Sequence, residues 1–343
     1  MNWRSAFVTF GLLVSSFAFA GFDEGLNAYK RNDFAQAMQE WRPLAEQGHA
    51  NAQFNLGNMY YNGRGVAKDE AKAVQWYTKA AEQGVASAQF NLGVMYNNGQ
   101  GVTKDEAKAV QWYTKAAEQG DASAQNNLGL MYENGRGVTK DEAKAVQWYT
   151  KAAEQGDASA QFNLGNMYYN GRGVLQNDLK AVEMYSQAAR QNHGGALNNL
   201  GTMYEKERGV EHDIVLAHAF YNLAAAAGDQ TAVENRSRIA EQLSPSQLRE
   251  AQAIAQAWKV GTPVPTKSKT GRVKAPPQKV VDAKPEKPLK ECQPPKGRVL
   301  RYSDNCHNGD CVRTFENGCS KRFQAPYCYD MLQQHWTWKP DGC

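Results

Sequence analysis

The chain has 343 residues, 42% of them apolar, with 39 basic and 35 acidic side chains and a formal charge of +4. That length accommodates two or three folded units. Residues 1–258 carry 23 basic and 27 acidic side chains, whereas residues 259–290 carry nine and two. The basic excess is therefore local, which excludes a chain-wide nucleic-acid-binding surface.

In chain order, the first element reads as a targeting segment. Arg4 precedes an apolar run from Phe7 to Phe19, and Ala18-Phe19-Ala20 fits a signal-peptide cleavage site. The run is short for a bilayer span, so residues 1–20 are expected to be a signal peptide. No cysteine follows the site to carry a lipid, and no later stretch is long and apolar enough for a transmembrane segment. The mature protein is expected to be exported, periplasmic or secreted.

Residues 21–258 are dominated by one unit. Ala52 to Gly84 reads A-Q-F-N-L-G-N-M-Y-Y-N-G-R-G-V-A-K-D-E-A-K-A-V-Q-W-Y-T-K-A-A-E-Q-G, and the pattern returns every 36 residues, from Ala88, Ala124, Ala160 and Ala196. A fixed period of this size predicts stacked structural repeats. A shortened copy, Phe22 to Gly48, precedes them without the N-G-x-G-V loop and is expected to cap the array. Val102–Gly120 and Val138–Gly156 are identical over 19 residues, which suits a scaffold of adjustable length better than one fixed catalytic geometry.

Each copy predicts helix, loop, helix. Ala52, Leu56, Met59 and Tyr60 share one helical face. Gly57 beside Leu56 predicts close approach by the partner helix backbone. Asn62-Gly63-x-Gly65-Val66 is a helix stop, because glycine accepts the left-handed conformation there. Asp69, Asp105, Asp141, Asn177 and Asp213 predict N-caps of the second helix. Gly84, Gly120, Gly156, Asn192 and Gly228 predict its end. Ala73, Val74, Tyr77, Ala80 and Ala81 form its expected core face. After Gly228 a helix near Gln230–Leu243 is expected. Ser244-Pro245-Ser246-Gln247 is then a capping box that opens a last amphipathic helix.

The pattern A-x-x-N-L-G-x-M-Y-x-x-G-x-G-V-x-x-D-x-x-K-A-x-x-W-Y-x-K-A-A-x-Q-G resembles the Sel1-like repeat, a relative of the tetratricopeptide repeat, over roughly residues 22–228. The resemblance implies an all-α fold, a right-handed α-solenoid of helix pairs, that binds proteins or peptides in its concave groove. Copy five departs with Glu207 at the first loop glycine. Copies four and five replace the tryptophan with Met184 and Phe220.

If first helices line the groove, as that resemblance implies, Phe54, Asn58 and Tyr61 face inward in copy one. Their equivalents are Phe90, Val94 and Asn97; Asn126, Leu130 and Glu133; Phe162, Asn166 and Tyr169; and Asn198, Thr202 and Glu205. These vary while their neighbours do not, as ligand-facing positions would; drift of exposed positions would look the same. Asn55, Asn91, Asn127, Asn163 and Asn199 recur in every copy and are expected to hydrogen-bond the next copy's backbone.

The glycine loops follow no strand and lack a GK[ST] sequence, so they are not nucleotide cradles. His218 stands where other copies have valine and reads as a satisfied histidine rather than a base. No nucleophile–base motif is visible, and neither cofactor nor metal is expected. Residues 259–291, rich in proline and lysine, read as a linker. Residues 292–343 hold all six cysteines, Cys292, Cys306, Cys311, Cys319, Cys328 and Cys343, without a C-x-x-C pair. Disulfides of undetermined connectivity, stapling a small module, are expected there. Trp336 and Trp338 stand two apart in it, either as core or as an aromatic contact.

The function these features predict is a non-catalytic protein–protein interaction scaffold of the bacterial envelope or exterior. The alternatives are a cell-wall or glycan anchor acting through the cysteine-rich tail, or a weak β-lactam or amide hydrolase, a label given to some cysteine-rich relatives.

Overall fold

The structure is a computed structural model that describes residues 21–268 and five strands spanning 302–307, 310–315, 320–324, 327–330 and 335–338. The expected signal peptide and residues 269–291 of the expected linker lie outside the described residues. The chain divides into two units, Met1–Val273 and Lys274–Cys343.

The first unit opens with α1 (21–30) and α2 (Phe34–Glu46), the shortened pair. Five longer-looped pairs follow: α3 (Ala50–Asn62) and α4 (Glu70–Glu82), α5 (Ala86–Asn98) and α6 (Glu106–Glu118), α7 (Ala122–Asn134) and α8 (Glu142–Glu154), α9 (Ala158–Asn170) and α10 (Asp178–Arg190), α11 (Gly194–Lys206) and α12 (Ile214–Ala226). Each of these helices packs on the next, so the pairs stack into an α-solenoid. Two further helices, α13 (Gln230–Ala240) and α14 (Pro245–Ala257), close the described end, with α12 between them.

Local chemistry explains the boundaries. Asp69 accepts the Lys72 N–H at 2.9 Å, and Asp105, Asp141 and Asn177 cap α6, α8 and α10 in the same way. Asp213 takes two N–H groups at the start of α12. The second loop glycine is needed twice over. Gly65 has φ +68°, and a Cβ there would stand 2.5 Å from the Phe34 carbonyl oxygen. Glu207, replacing the first loop glycine of copy five, still adopts φ +55°.

The core repeats one contact. Tyr77 lies flat against the backbone of Gly57, where an added Cβ would sit 2.5 Å from the ring. Tyr113 on Gly93, Tyr149 on Gly129, Tyr185 on Gly165 and Tyr221 on Gly201 repeat it, and in the shortened pair Trp41 covers Gly25. What approaches Gly57 so closely is thus an aromatic ring of the partner helix, not its backbone. Glycine leaves a slot one ring deep. Ala73, Ala80 and Ala81 are buried beside Tyr77, as expected, while Val74 is only half-buried.

Helix α12 differs, being apolar all round, with Ile214 through Tyr221 buried. Packing of α13 and α14 against it removes the solvent-facing side that earlier second helices keep. Residues 259–268 then run back over the solenoid. The Gly261 N–H donates to the Arg190 carbonyl at 2.7 Å, and the Ser268 N–H and hydroxyl donate to Asp213 Oδ2 at 3.2 and 2.7 Å. The described part of the second unit is antiparallel, with sheet order β1 (Tyr302–His307), β2 (Asp310–Phe315), β3 (Ser320–Gln324), and a separate pair β4 (Tyr327–Asp330) and β5 (His335–Trp338).

The ring-on-glycine contact can be tested in mid-array. Gly129→Ala puts a Cβ 2.6 Å from the Tyr149 ring. Helix propensity gains roughly 1 kcal/mol, but overpacking outweighs it, and a net loss of about 1–3 kcal/mol is expected in denaturant unfolding. An unchanged midpoint would show that the ring moves aside freely.

Candidate functional site

The residues anticipated as groove-facing all lie on the first helices: Phe54, Asn58 and Tyr61 on α3, Phe90, Val94 and Asn97 on α5, Asn126, Leu130 and Glu133 on α7, Phe162, Asn166 and Tyr169 on α9, Asn198, Thr202 and Glu205 on α11. Asn126 is buried and the rest are half-buried. Most of them also hold the array together.

Two donors need acceptors in every copy: the hydroxyl of the buried tyrosine and the amide of the recurrent asparagine in the next copy. In copy one the Tyr77 hydroxyl donates to Asn58 Oδ1 at 2.7 Å, and Asn91 approaches the same oxygen at 3.5 Å. Copy four repeats this with Tyr185 and Asn199 on Asn166. In copy three Leu130 offers no acceptor. There the Tyr149 hydroxyl turns to Glu133 at 2.5 Å, and Asn163 donates to Asn126 at 3.0 Å. In copy five Tyr221 uses Thr202 and Glu205, and Asn235 of α13 donates to Asn198. In copies one, two and four a phenylalanine instead lies about 6 Å from the tyrosine ring. Asn91, Asn163 and Asn199 therefore bond side chains of the preceding copy, not the next copy's backbone as expected. Burial pushes the Tyr113 hydroxyl up to about 12. It raises Tyr149 further, with Glu133 adding to the shift. These hydroxyls stay neutral donors, which keeps the acceptor requirement in force.

The loops clamp the same row. Arg136 donates to Asn97 at 2.8 Å and to Glu106 at 2.9 Å; Arg172 reaches Glu133 and Glu142, each at 2.9 Å. Arg208 stacks on the Tyr169 ring at 3.7 Å and pairs with Asp178. Gln100 donates to the Tyr61 hydroxyl at 3.3 Å, and Arg238 of α13 forms a two-pronged contact with Glu205. Arg238, followed by the Tyr221 hydroxyl, holds the Glu205 carboxyl below its ordinary range despite partial burial.

A second ladder went unread in the sequence. Gln53, Gln89, Gln125 and Gln161 are buried. Each donates to the carbonyl of Ala45, Ala81, Ala117 or Ala153 at 3.0–3.2 Å. Each also accepts from the glutamine that ends its own pair, Gln83, Gln119, Gln155 or Gln191, at 2.6–3.0 Å. Copy five drops both partners together, with Leu197 and Ala227 in their places. That joint loss was the available signal.

His193 caps α11, its Nδ1 accepting the Ala196 N–H at 3.2 Å, and stacks on Phe162 at 4.6 Å. Burial lowers its pKa, opposed by its own backbone contact and by Asp157 and Asp229. His218 is buried with Asn222 at 3.2 Å from Nδ1, in keeping with a structural role, and its pKa is likewise lowered by burial and then by Arg236.

Among the described residues no group of three His, Cys, Asp or Glu side chains is placed to hold a metal, and no helix is long and apolar enough to cross a membrane. In the second unit, Cys306 stands opposite Cys311 in register, Trp336 opposite Tyr329, and Trp338 opposite Tyr327. Cys328 lies on β4, while Cys292, Cys319 and Cys343 lie outside the described residues.

Comparison with known proteins agrees with this architecture. A family model described as Sel1 repeat matches residues 50–85, 86–121, 122–157, 158–193 and 195–229. The crystal structure of c5321, a protective antigen of uropathogenic Escherichia coli, is similar with a TM-score of 0.63 and 38% identity, covering 70% of this chain and 53% of that one. A Sel1 repeat protein from Oxalobacter formigenes gives a TM-score of 0.61 and 37% identity, covering 68% of this chain and 97% of its own. An exopolysaccharide production negative regulator of Rhizobium leguminosarum bv. viciae is 37% identical over 60 residues, so the match spans only 22% of that relative.

Two measurements check this geometry. Gln125→Leu strands the Ala117 carbonyl, leaves the Gln155 amide only the Lys151 carbonyl at 3.4 Å, and should cost about 1–3 kcal/mol. Adding Gln155→Ala, the copy-five solution, should recover much of that loss in a double-mutant cycle. Strict additivity would refute the ladder. For His193, protonation is easier in the unfolded chain than in the folded one. Stability present at pH 7.5 should therefore fall as pH drops through about 6.5, the ordinary histidine value. His193→Asp, which borrows the cap used at Asp121 and Asp157, should flatten that slope in thermal melts between pH 7.5 and 5.5; an unaltered slope would clear His193.

Proposed function

This chain belongs to the Sel1 repeat family, whose members typically mediate protein–protein interaction, and on that premise we propose a non-catalytic scaffold of the bacterial envelope or exterior that binds a partner segment along its first-helix face. The apolar start of the sequence, Phe7 to Phe19 with its Ala18-Phe19-Ala20 site, supports export.

The observation that carries the reading is a cavity of about 400 Å³ between copies one and two, lined by Asn58, Tyr61, Tyr77, Phe90, Asn91 and Val94. Copy two is apolar at both positions, Phe90 and Val94, whereas each other full copy has an acceptor at one of them or at both. The internal network is thinnest there, and an aromatic wall meets free amide capacity. A partner segment can be held by packing and by hydrogen bonds to Asn58 and Asn91. The clamps between copies hold the surface in one conformation before binding, which lowers the ordering cost of association. A second reading, glycan anchoring by the tail, draws support from the aromatic register of Trp336 and Trp338 with Tyr329 and Tyr327.

Crosslinking the full chain in its envelope should recover a protein partner. Tyr61→Ser with Phe90→Ser should reduce recovery by roughly 30-fold, the scale of an interface anchor of about 2 kcal/mol, with the thermal midpoint used to confirm folding. Undiminished recovery from a folded variant would remove the first-helix face from the interaction. In a parallel arm on purified cell wall, retention lost in Trp336→Ala/Trp338→Ala would favour the tail, and absence of any retention would dismiss it.

A further inference from the structure

The opposite, second-helix face carries its own periodic feature. Trp76, Trp112 and Trp148 are half-buried there, on α4, α6 and α8. Each indole sits under a lysine of the next turn, with Lys79, Lys115 and Lys151 at 4.4, 4.2 and 4.2 Å from the ring. Trp112 and Trp148 each pack on the core of the preceding copy, so an indole seals the cleft between successive second helices. Copy four breaks the series twice, with Met184 in place of tryptophan and Gln187 in place of lysine. Met184 still packs on the copy-three core, but a thread-like side chain replaces a flat ring. A cavity of about 740 Å³ stands open between α8 and α10, with Ala153, Leu164, Tyr168 and Met184 among its lining. The floor has lost cover accordingly: Leu164 and Ala153 are 3% and 6% exposed, against 0% and 2% for Leu128 and Ala117 one copy earlier.

The neighbouring cleft shows what kind of chain fits this face. Between α10 and α12 the protein's own Val264, Thr266 and Lys267 border a cavity of about 360 Å³ together with Val182, Tyr204 and Val210. Val264 packs on the core, and the segment is pinned by the Gly261 N–H on the Arg190 carbonyl and by Ser268 on Asp213. Gly261 and Arg190 also edge the open cleft. The segment 261–267 therefore borders both cavities. We infer that the α8–α10 cleft is a docking site for an extended segment of a partner protein, which inserts an aromatic side chain where copies one to three carry their own indole. The rim presents charges of both signs, Lys180, Glu183 and Arg190 on α10 and Glu154 on α8, so selection rests on the ring rather than on the net charge of the segment. Flat insertion over Ala153 and against Tyr168 restores the burial that copies two and three obtain internally, with ring stacking adding to plain area burial.

This site stands apart from the first-helix face, and its test is independent of that reading. The full chain, with labelled methionine and leucine methyls, is titrated with N-acetyl-L-tryptophanamide and, for comparison, N-acetyl-L-leucinamide. The aromatic probe should shift the Met184 and Leu164 methyl signals saturably in the millimolar range expected of so small a ligand, with at least about tenfold weaker response to the leucine probe. Met184→Trp with Gln187→Lys rebuilds the indole–lysine seal. It should keep or raise the melting temperature and abolish the Leu164 response. A Leu164 shift that survives in this variant, equal responses to the two probes, or no saturable shift at all would overturn the assignment. Met184 shifts that follow protein concentration without probe would assign the cleft to a second copy instead.

Discussion

A tyrosine ring lying on a glycine is the contact on which this solenoid depends. It brings the two helices of each pair one ring apart, and it recurs from Gly25–Trp41 to Gly201–Tyr221. It also has a chemical consequence. Except in the shortened pair, the ring ends in a hydroxyl delivered through the core to the first-helix face. A buried hydroxyl without a partner is costly, so the side chains at its exit are constrained to accept it.

That constraint explains how the copies vary. Acceptors move between positions: Asn58 and Asn166 serve in copies one and four, Glu133 in copy three, Thr202 and Glu205 in copy five. Loop arginines then track whichever polar group is left on the same row, as Arg136 does with Asn97 and Arg172 with Glu133. Variation along this face is therefore in large part complementarity between neighbours. Where the internal pairing thins, at Phe90 and Val94, surface is left over for another molecule. On the second-helix face the same logic runs in reverse. The indole–lysine seal of copies one to three gives way to Met184 and Gln187 in copy four, where a cleft stands open, and to the buried Phe220 with Leu223 in copy five.

Much of the architecture was legible because the signals were local and repeated. The capping positions Asp69 to Asp213, the left-handed glycines, the capping box at Ser244 and the tight turn of the shortened copy all depend on a few consecutive residues, and all stand where the pattern placed them. The recurrent asparagines meet a partner other than the expected one, because a recurrent spacing does not reveal which neighbour a side chain meets across a stack. The buried glutamines went unnoticed because a polar residue beside an alanine reads as surface until the carbonyl it faces is known. Residues 259–268, with two prolines and two lysines, read as linker, yet they lie against α10 and α12.

The amino-acid sequence by itself determined the repeat, its period, the helix limits and the stacking residues, since each follows from backbone conformational preference and from the spacing of apolar side chains along one helix. Tertiary structure alone decided which polar side chains are structural and which are left to bind. Satisfaction of a buried hydroxyl depends on atoms 16 or 19 residues away, and of a buried amide on atoms 30 or more away, brought to about 3 Å only by helix packing. The cleft at Met184 belongs to the same class of fact. In one dimension it is a conservative change of one apolar residue for another. In three it is a missing ring between two helices, because packing registers shape and volume where a sequence pattern registers only hydrophobicity.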